Sequence, residues 1–127
     1  MDTEDGVSIL LVVDDEEGMR ETLTDILEEF GFDVDSARDG REAVDRVSER
    51  DYDLLLMDIK MPEMDGVEAL TKIKSFSPQI PIIMMTAYAD SSAVEEAREQ
   101  GAEAVVYKPL DMGSLLAMIR ELSVTRV

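Results

Sequence analysis

The sequence predicts an α/β domain: a doubly wound (βα)5 sheet of five parallel strands in the order 2-1-3-4-5. Five short apolar runs alternate with five segments of helical periodicity through short connections, the pattern of a parallel sheet with right-handed crossovers. The second run alternates apolar with acidic residues, whereas the first and third are apolar throughout, so the second belongs at a sheet edge and the others inside. Four runs also end in polar residues: Val13 gives way to Asp14-Asp15, Met57 to Asp58, Met85 to Thr86 and Tyr107 to Lys108.

Residues 1–7 are polar and read as a flexible tail, residues 8–123 as one domain, and residues 124–127 as a C-terminal tail or the start of a linker. Ile9 to Val13 is a short β-branched run, read as a strand buried on both faces. Met19, Leu23, Ile26, Leu27 and Phe30 then recur at helical spacing and give an apolar stripe on a first helix that stops at Gly31. Phe32 and Val34 alternate with Asp33 and Asp35, as in a strand exposed on one side. Asp39-Gly40 begins a turn, after which Ala43, Val44 and Val47 mark the inner face of a second helix. Leu54 to Met57 forms the third strand, and beyond the loop at Lys60-Met61-Pro62 a third helix is marked by Val67, Leu70 and Ile73. Pro78 and Pro81 bracket the return to the sheet, where Ile82 to Met85 is the fourth strand. Residues Ser91 to Gln100 predict a helix whose inner face is only Ala93, Val94 and Ala97, hence the most loosely held of the five. Ala104 to Tyr107, followed by Leu115, Ile119 and Leu122, completes the alternation.

Composition removes several classes of function. With no Cys there are no disulfides or thiolate sites, and with no His there are no imidazole bases, triads or ordinary zinc sites. No apolar run approaches the roughly 20 residues of a membrane span, and the start of the chain lacks signal-peptide character, so a cytoplasmic protein is expected. A net charge of −18 opposes direct contact with nucleic acid or anionic lipid. The charge is uneven: residues 1–58 carry 20 acidic side chains against 5 basic ones, and residues 59–127 carry 10 against 7. The acidic half reads first as a solvated face.

In an open parallel sheet the carboxyl ends of the strands form the ligand crevice, so the polar run-ends converge there. Asp14, Asp15 and Asp58 supply the oxygen donors that Mg2+ prefers. Their mutual repulsion is expected to raise at least one pKa without metal. Glu16 and Glu17 read instead as a helix start. Asp58 is the candidate nucleophile, since a carboxylate can attack a phosphoryl group to form an acyl phosphate. Lys108 offers a positive charge to phosphate oxygens, and Thr86 offers a hydroxyl.

Asp14-Asp15, Asp58, Thr86-Ala87 and Lys108-Pro109, with Met61-Pro62 and Asp65-Gly66, resemble the receiver domain of two-component response regulators, a flavodoxin-like fold. The resemblance implies that Asp58 accepts phosphate from a histidine kinase, a histidine phosphotransfer protein or a small acyl phosphate. It implies Mg2+, with Mn2+ as a substitute, held by Asp15, Asp58 and the Lys60 carbonyl, with Asp14 assisting. Lys108, Thr86 and the Ala87 amide would hold the phosphoryl group, and Tyr107 would switch rotamer with Thr86. Lys60 and Tyr88 occupy the positions that tune dephosphorylation in that family, and the Lys108-Pro109 bond matches a position that is often cis. Such a chain is a phosphoacceptor that assists its own transfer rather than an enzyme. Its output is expected through the face of the fourth helix, fifth strand and fifth helix, onto a downstream protein, an output domain or a phosphorylation-dependent homodimer.

Three other readings compete. Met85-Thr86-Ala87-Tyr88 resembles receivers of sigma-54 activators, so the chain is alternatively the isolated receiver of a DNA-binding regulator. A flavodoxin-like electron carrier would need a phosphate-cradling loop where Asp14 to Glu17 stand, and those acids repel a flavin phosphate. A phosphatase of the haloacid dehalogenase type would want a second Asp where Lys60 stands.

Overall fold

The computed structural model describes residues 7–88 and 92–124. Its elements run β1 (Ile9–Val13), α1 (Glu17–Glu29), β2 (Asp33–Ala37), α2 (Gly40–Glu49), β3 (Leu54–Asp58), α3 (Gly66–Phe76), β4 (Ile82–Thr86), α4 (Ser92–Glu99), β5 (Ala104–Tyr107) and α5 (Met112–Val124). All four strand pairings are parallel, and the sheet order is β2-β1-β3-β4-β5. Of the expected tails at 1–7 and 124–127, residues 1–6 and 125–127 lie outside the described residues, as does Ser91 at the predicted start of the fourth helix; Val124, expected in the tail, is instead the last residue of α5.

Strand alternation divides the core into two layers. Leu11, Val13, Leu55, Met57, Ile82 and Met84 face α2, α3 and α4 through side chains such as Val47, Leu70, Ile73 and Ala97. Leu10, Val12, Leu54, Leu56, Ile83 and Met85 face α1 and α5 through Leu23, Leu27, Leu115 and Ile119. Both layers are closed to water along β3 and β4, whose ten residues are all buried. The carboxyl ends of those strands are therefore fixed by packing on both sides.

Two local expectations are corrected. Phe30 does not continue the inner stripe of α1: it is the C-cap residue, 50% exposed, with its ring 5.7 Å from the Arg120 guanidinium. The helix ends because Gly31 adopts φ +96°, a left-handed conformation that closes the last turn at little cost only for glycine. Asp39-Gly40 is also more than a turn. The Asp39 carboxylate accepts from the Glu42 N–H at 2.9 Å and caps α2, whose first residue is Gly40. Asp65 caps α3 in the same way through the Glu68 N–H at 3.0 Å.

The sheet has two edges, β2 and β5. The solvent side of β2 is secured by Arg50, which donates to Asp35 at 2.8 Å and Asp33 at 2.9 Å, and by the Tyr52 hydroxyl, which donates to Asp35 at 2.6 Å. Helix α4 is the shortest of the five, and within it Val94 and Ala97 are buried while Ala93 is partly covered. Among the described residues no helix is long and apolar enough to cross a membrane.

Candidate functional site

Parallel register carries the run-ends to one edge. Val13 pairs with Met57, Asp58 with Met85, and Thr86 with Tyr107, so Asp14, Asp58, Thr86 and Lys108 leave the sheet at successive strand ends. The loops are tied together there. The Asp14 N–H donates to the Ala37 carbonyl at 3.2 Å, the Ile59 N–H to the Met85 carbonyl at 2.9 Å, and the Lys108 N–H to the Thr86 carbonyl at 2.8 Å.

Carboxylate oxygens of Asp14, Asp15 and Asp58 lie within 4.8 Å of one another. Asp14 is fully buried, Asp58 is 7% exposed, and Asp15 is exposed at the mouth. The Lys108 ammonium reaches into this cluster, 3.0 Å from Asp14 and 3.4 Å from Asp58. Asp14 also accepts from the Glu16 N–H at 3.0 Å, which fixes its carboxylate at the start of α1. Glu16 takes the N-cap position without a side-chain capping bond, and Glu17 lies in the first turn, as a helix start requires.

Burial pushes the Asp58 carboxyl above its ordinary value; the Lys108 charge pulls it down, and the Asp14 charge pushes it up again. The Lys60 backbone N–H also bonds to Asp58 and favours its ionised form. The sequence pointed to mutual repulsion as the reason for a raised carboxyl, but desolvation contributes more here. Lys108 responds in the opposite sense: burial opposes its charge, yet its bond to Asp14 and the charge of Asp58 outweigh burial and hold the ammonium above its usual range. Three hard oxygen donors around partly buried negative charge form a set that fits a small divalent cation such as Mg2+.

Thr86 is buried, and its hydroxyl oxygen accepts from the Tyr88 N–H at 3.0 Å. Ala87, next to it, is exposed. Tyr107, the register partner of Thr86 on β5, is 42% exposed, and its hydroxyl lies 3.5 Å from an Arg98 nitrogen of α4. The exposed Lys60 and Tyr88 come together, with the ammonium 5.7 Å from the ring centroid. The Lys108-Pro109 peptide is cis.

One contributor escaped the sequence reading, and Gly66, which entered it only as part of a motif, gains its physical reason here. Arg20, six residues after Asp14, donates to the Asp14 carbonyl at 2.7 Å and braces the acidic loop from α1. Its signal was a single base in a strongly acidic helix. Gly66 lies so close to the Asp58 carbonyl that any Cβ would collide with backbone there, while its N–H donates to the Ile59 carbonyl at 2.7 Å. Only glycine lets α3 start this near the site.

A family model described as response regulator receiver domain matches residues 10–120. The transcriptional regulatory protein ZraR of Escherichia coli strain K12 is 40% identical over 119 residues, which are 94% of this chain and 27% of that protein. The chain thus spans about a quarter of the length of that regulator. The chemotaxis protein CheY of Bacillus subtilis is 41% identical over 113 residues, covering 88% of this chain and 94% of CheY. The solution structure of the beryllofluoride-activated NtrC4 receiver domain dimer superposes with a TM-score of 0.86 at 32% identity, covering 94% of this chain and 98% of that one.

Proposed function

The chain belongs to the response regulator receiver family, and on that premise we propose that it is a phosphorylation-activated signalling switch whose acceptor is Asp58. The observation that carries this reading is the approach of Lys108 to both Asp14 and Asp58 within the three-carboxylate cluster. An Asp58 carboxylate oxygen attacks phosphorus of a phosphohistidine or acyl phosphate, and the bond to the imidazole nitrogen or acyl oxygen breaks as the new O–P bond forms. Asp14, Asp15 and Asp58, with the Lys60 carbonyl, would hold Mg2+, with Mn2+ as a substitute. When bound, the cation offsets negative charge on the carboxylates and the transferring group.

Lys108 is already placed to move its ammonium from the carboxylates to phosphoryl oxygens, a charge-assisted contact in a partly dry site. Thr86 gives up its bond from the Tyr88 N–H and turns its hydroxyl, with the Ala87 amide, toward the phosphoryl group. That rotation frees space beneath β5 for the exposed Tyr107 ring to turn inward. The α4–β5–α5 face then reports the change, because α4 is short and thinly packed, and weakly held elements are the ones whose populations shift. The protein is a phosphoacceptor rather than an enzyme. It would work in the cytoplasm, with a histidine kinase or histidine phosphotransfer protein upstream.

The similarity to ZraR favours the sigma-54 activator class, so the face would act on an attached output domain or form a phosphorylation-dependent homodimer. The test is amide NMR with and without beryllofluoride. Shifts are expected across residues 86–110; shifts confined to residues 16–50 would exclude the face. Lys60 lies against the Tyr88 ring, and neither is a carboxylate able to orient water; a ring shielding Asp58 from water would make phosphoaspartate loss slow. Tyr88→Ala is expected to speed it; an unchanged rate would reject shielding by the ring.

A further inference from the structure

All five basic residues among positions 1–58 are arginines, set against 20 acids. Three of them, Arg20 of α1, Arg38 after β2 and Arg46 of α2, line one surface cavity of about 190 Å3 with Ser36, Ala37 and Glu42. Glu42 is the one acid in that lining, and its hold is loose: Arg38 Nε lies 3.9 Å away and Arg46 Nη2 3.6 Å away. Glu42 also accepts from the Arg38 backbone N–H at 2.9 Å, which occupies part of its capacity. Arg20 uses Nη1 on the Asp14 carbonyl, one of the five N–H donors that a guanidinium carries. Donors and positive charge therefore exceed acceptors here, in the half of the chain where acids outnumber bases by four to one. A neighbouring cavity of about 290 Å3 shares Arg20 and Ser36 but adds Glu21 and Asp25, so the positive excess is confined to the smaller cavity; the Thr24 hydroxyl in the wall of the larger one is the single buried side-chain polar atom without a partner among the described residues.

We propose that this cavity binds a phosphate dianion, free or as the terminal group of a phosphomonoester, between Arg20, Arg38 and Arg46. Planar guanidinium forks match phosphate oxygens, and two exposed arginines share this cavity with one arginine braced on the Asp14 carbonyl. Ser36 adds a hydroxyl from the end of the edge strand. The site is separate from Asp58, which is not among its lining residues.

The test is amide NMR of the full chain in metal-free buffer with EDTA at constant ionic strength, titrated separately with inorganic phosphate and with AMP. Saturable shifts are expected at residues 20–24 and 36–46. Saturation by phosphate identifies a free-anion site, and saturation by AMP alone a phosphomonoester site; either supports the proposal. Arg38→Ala with Arg46→Ala should weaken binding about tenfold or more. Both side chains are substantially exposed, so the fold should persist, and the single variant Arg46→Gln must also weaken binding. Shifts confined to Asp14, Asp58, Thr86 and Lys108, unchanged affinity in the variants, or shifts reproduced by sodium chloride alone would overturn it.

Discussion

Asp58 is a carboxylate in a largely dry place, and its protonation links the site to stability. Burial pushes its carboxyl up, and neither Lys108 nor the Lys60 N–H fully reverses that. A carboxyl whose folded value exceeds its unfolded one, about 4, stabilises the fold below that unfolded value and loses the contribution as pH rises through the folded one. Ionised Asp58 therefore detracts from stability at neutral pH. Asp58→Asn, nearly the same shape without the charge, is expected to melt at a higher temperature than the wild type at pH 7 without metal. The gap should close as pH falls toward 4. Thermal unfolding of both proteins across that range checks it, and a variant less stable at pH 7 would contradict the account. At this scale the sequence located Asp14, Asp58 and Lys108 because each follows an apolar run, but burial depth depends on residues far away in the chain. Arg20 was missed for the same reason, since its target is a backbone carbonyl and leaves no pattern in side-chain chemistry.

Among the elements, edge strand β2 shows what periodicity does and does not reveal. Alternation of Val34 with Asp33 and Asp35 exposed it as a one-sided strand, but its anchors Arg50 and Tyr52 come from the far end of α2 and beyond. Burial raises the Asp35 carboxyl, yet the Tyr52 hydroxyl and Arg50 outweigh burial and hold it below its ordinary value. Burial, and then the same bond, push the Tyr52 hydroxyl well up. A carboxyl lowered on folding adds stability above its unfolded value and loses it as pH falls through the folded one. Tyr52→Phe keeps the buried ring and removes the donor, so it is expected to cost about 1 kcal/mol at neutral pH, with a smaller deficit in acid. Urea unfolding at pH 7 and pH 3 checks both halves of that statement; an equal deficit at both would remove Asp35 from the explanation. Phe30 was misplaced because the helical spacing of apolar residues runs on past Glu29, where α1 ends and Phe30 becomes its exposed C-cap. The thin packing of α4 was legible, since an inner face of Ala93, Val94 and Ala97 can bury little apolar area.

For the whole molecule, five alternations and the polar run-ends determined the architecture, because parallel strands must send their carboxyl ends to one edge. Which helices cover which face was not legible: the wholly apolar runs of β1, β3 and β4 suit both layers equally and say nothing about handedness by themselves. That arrangement sets the function proposed, since it brings Asp14 and Asp58 to Lys108 from three separate strand ends. The intact mass of the chain after incubation with an acyl phosphate tests this most directly. The wild type is predicted to gain a single hydroxylamine-labile phosphoryl group, and only when Mg2+ is present, while Asp58→Asn gains none. A phosphoryl group retained by Asp58→Asn, or one acquired equally well without divalent cation, would contradict the account.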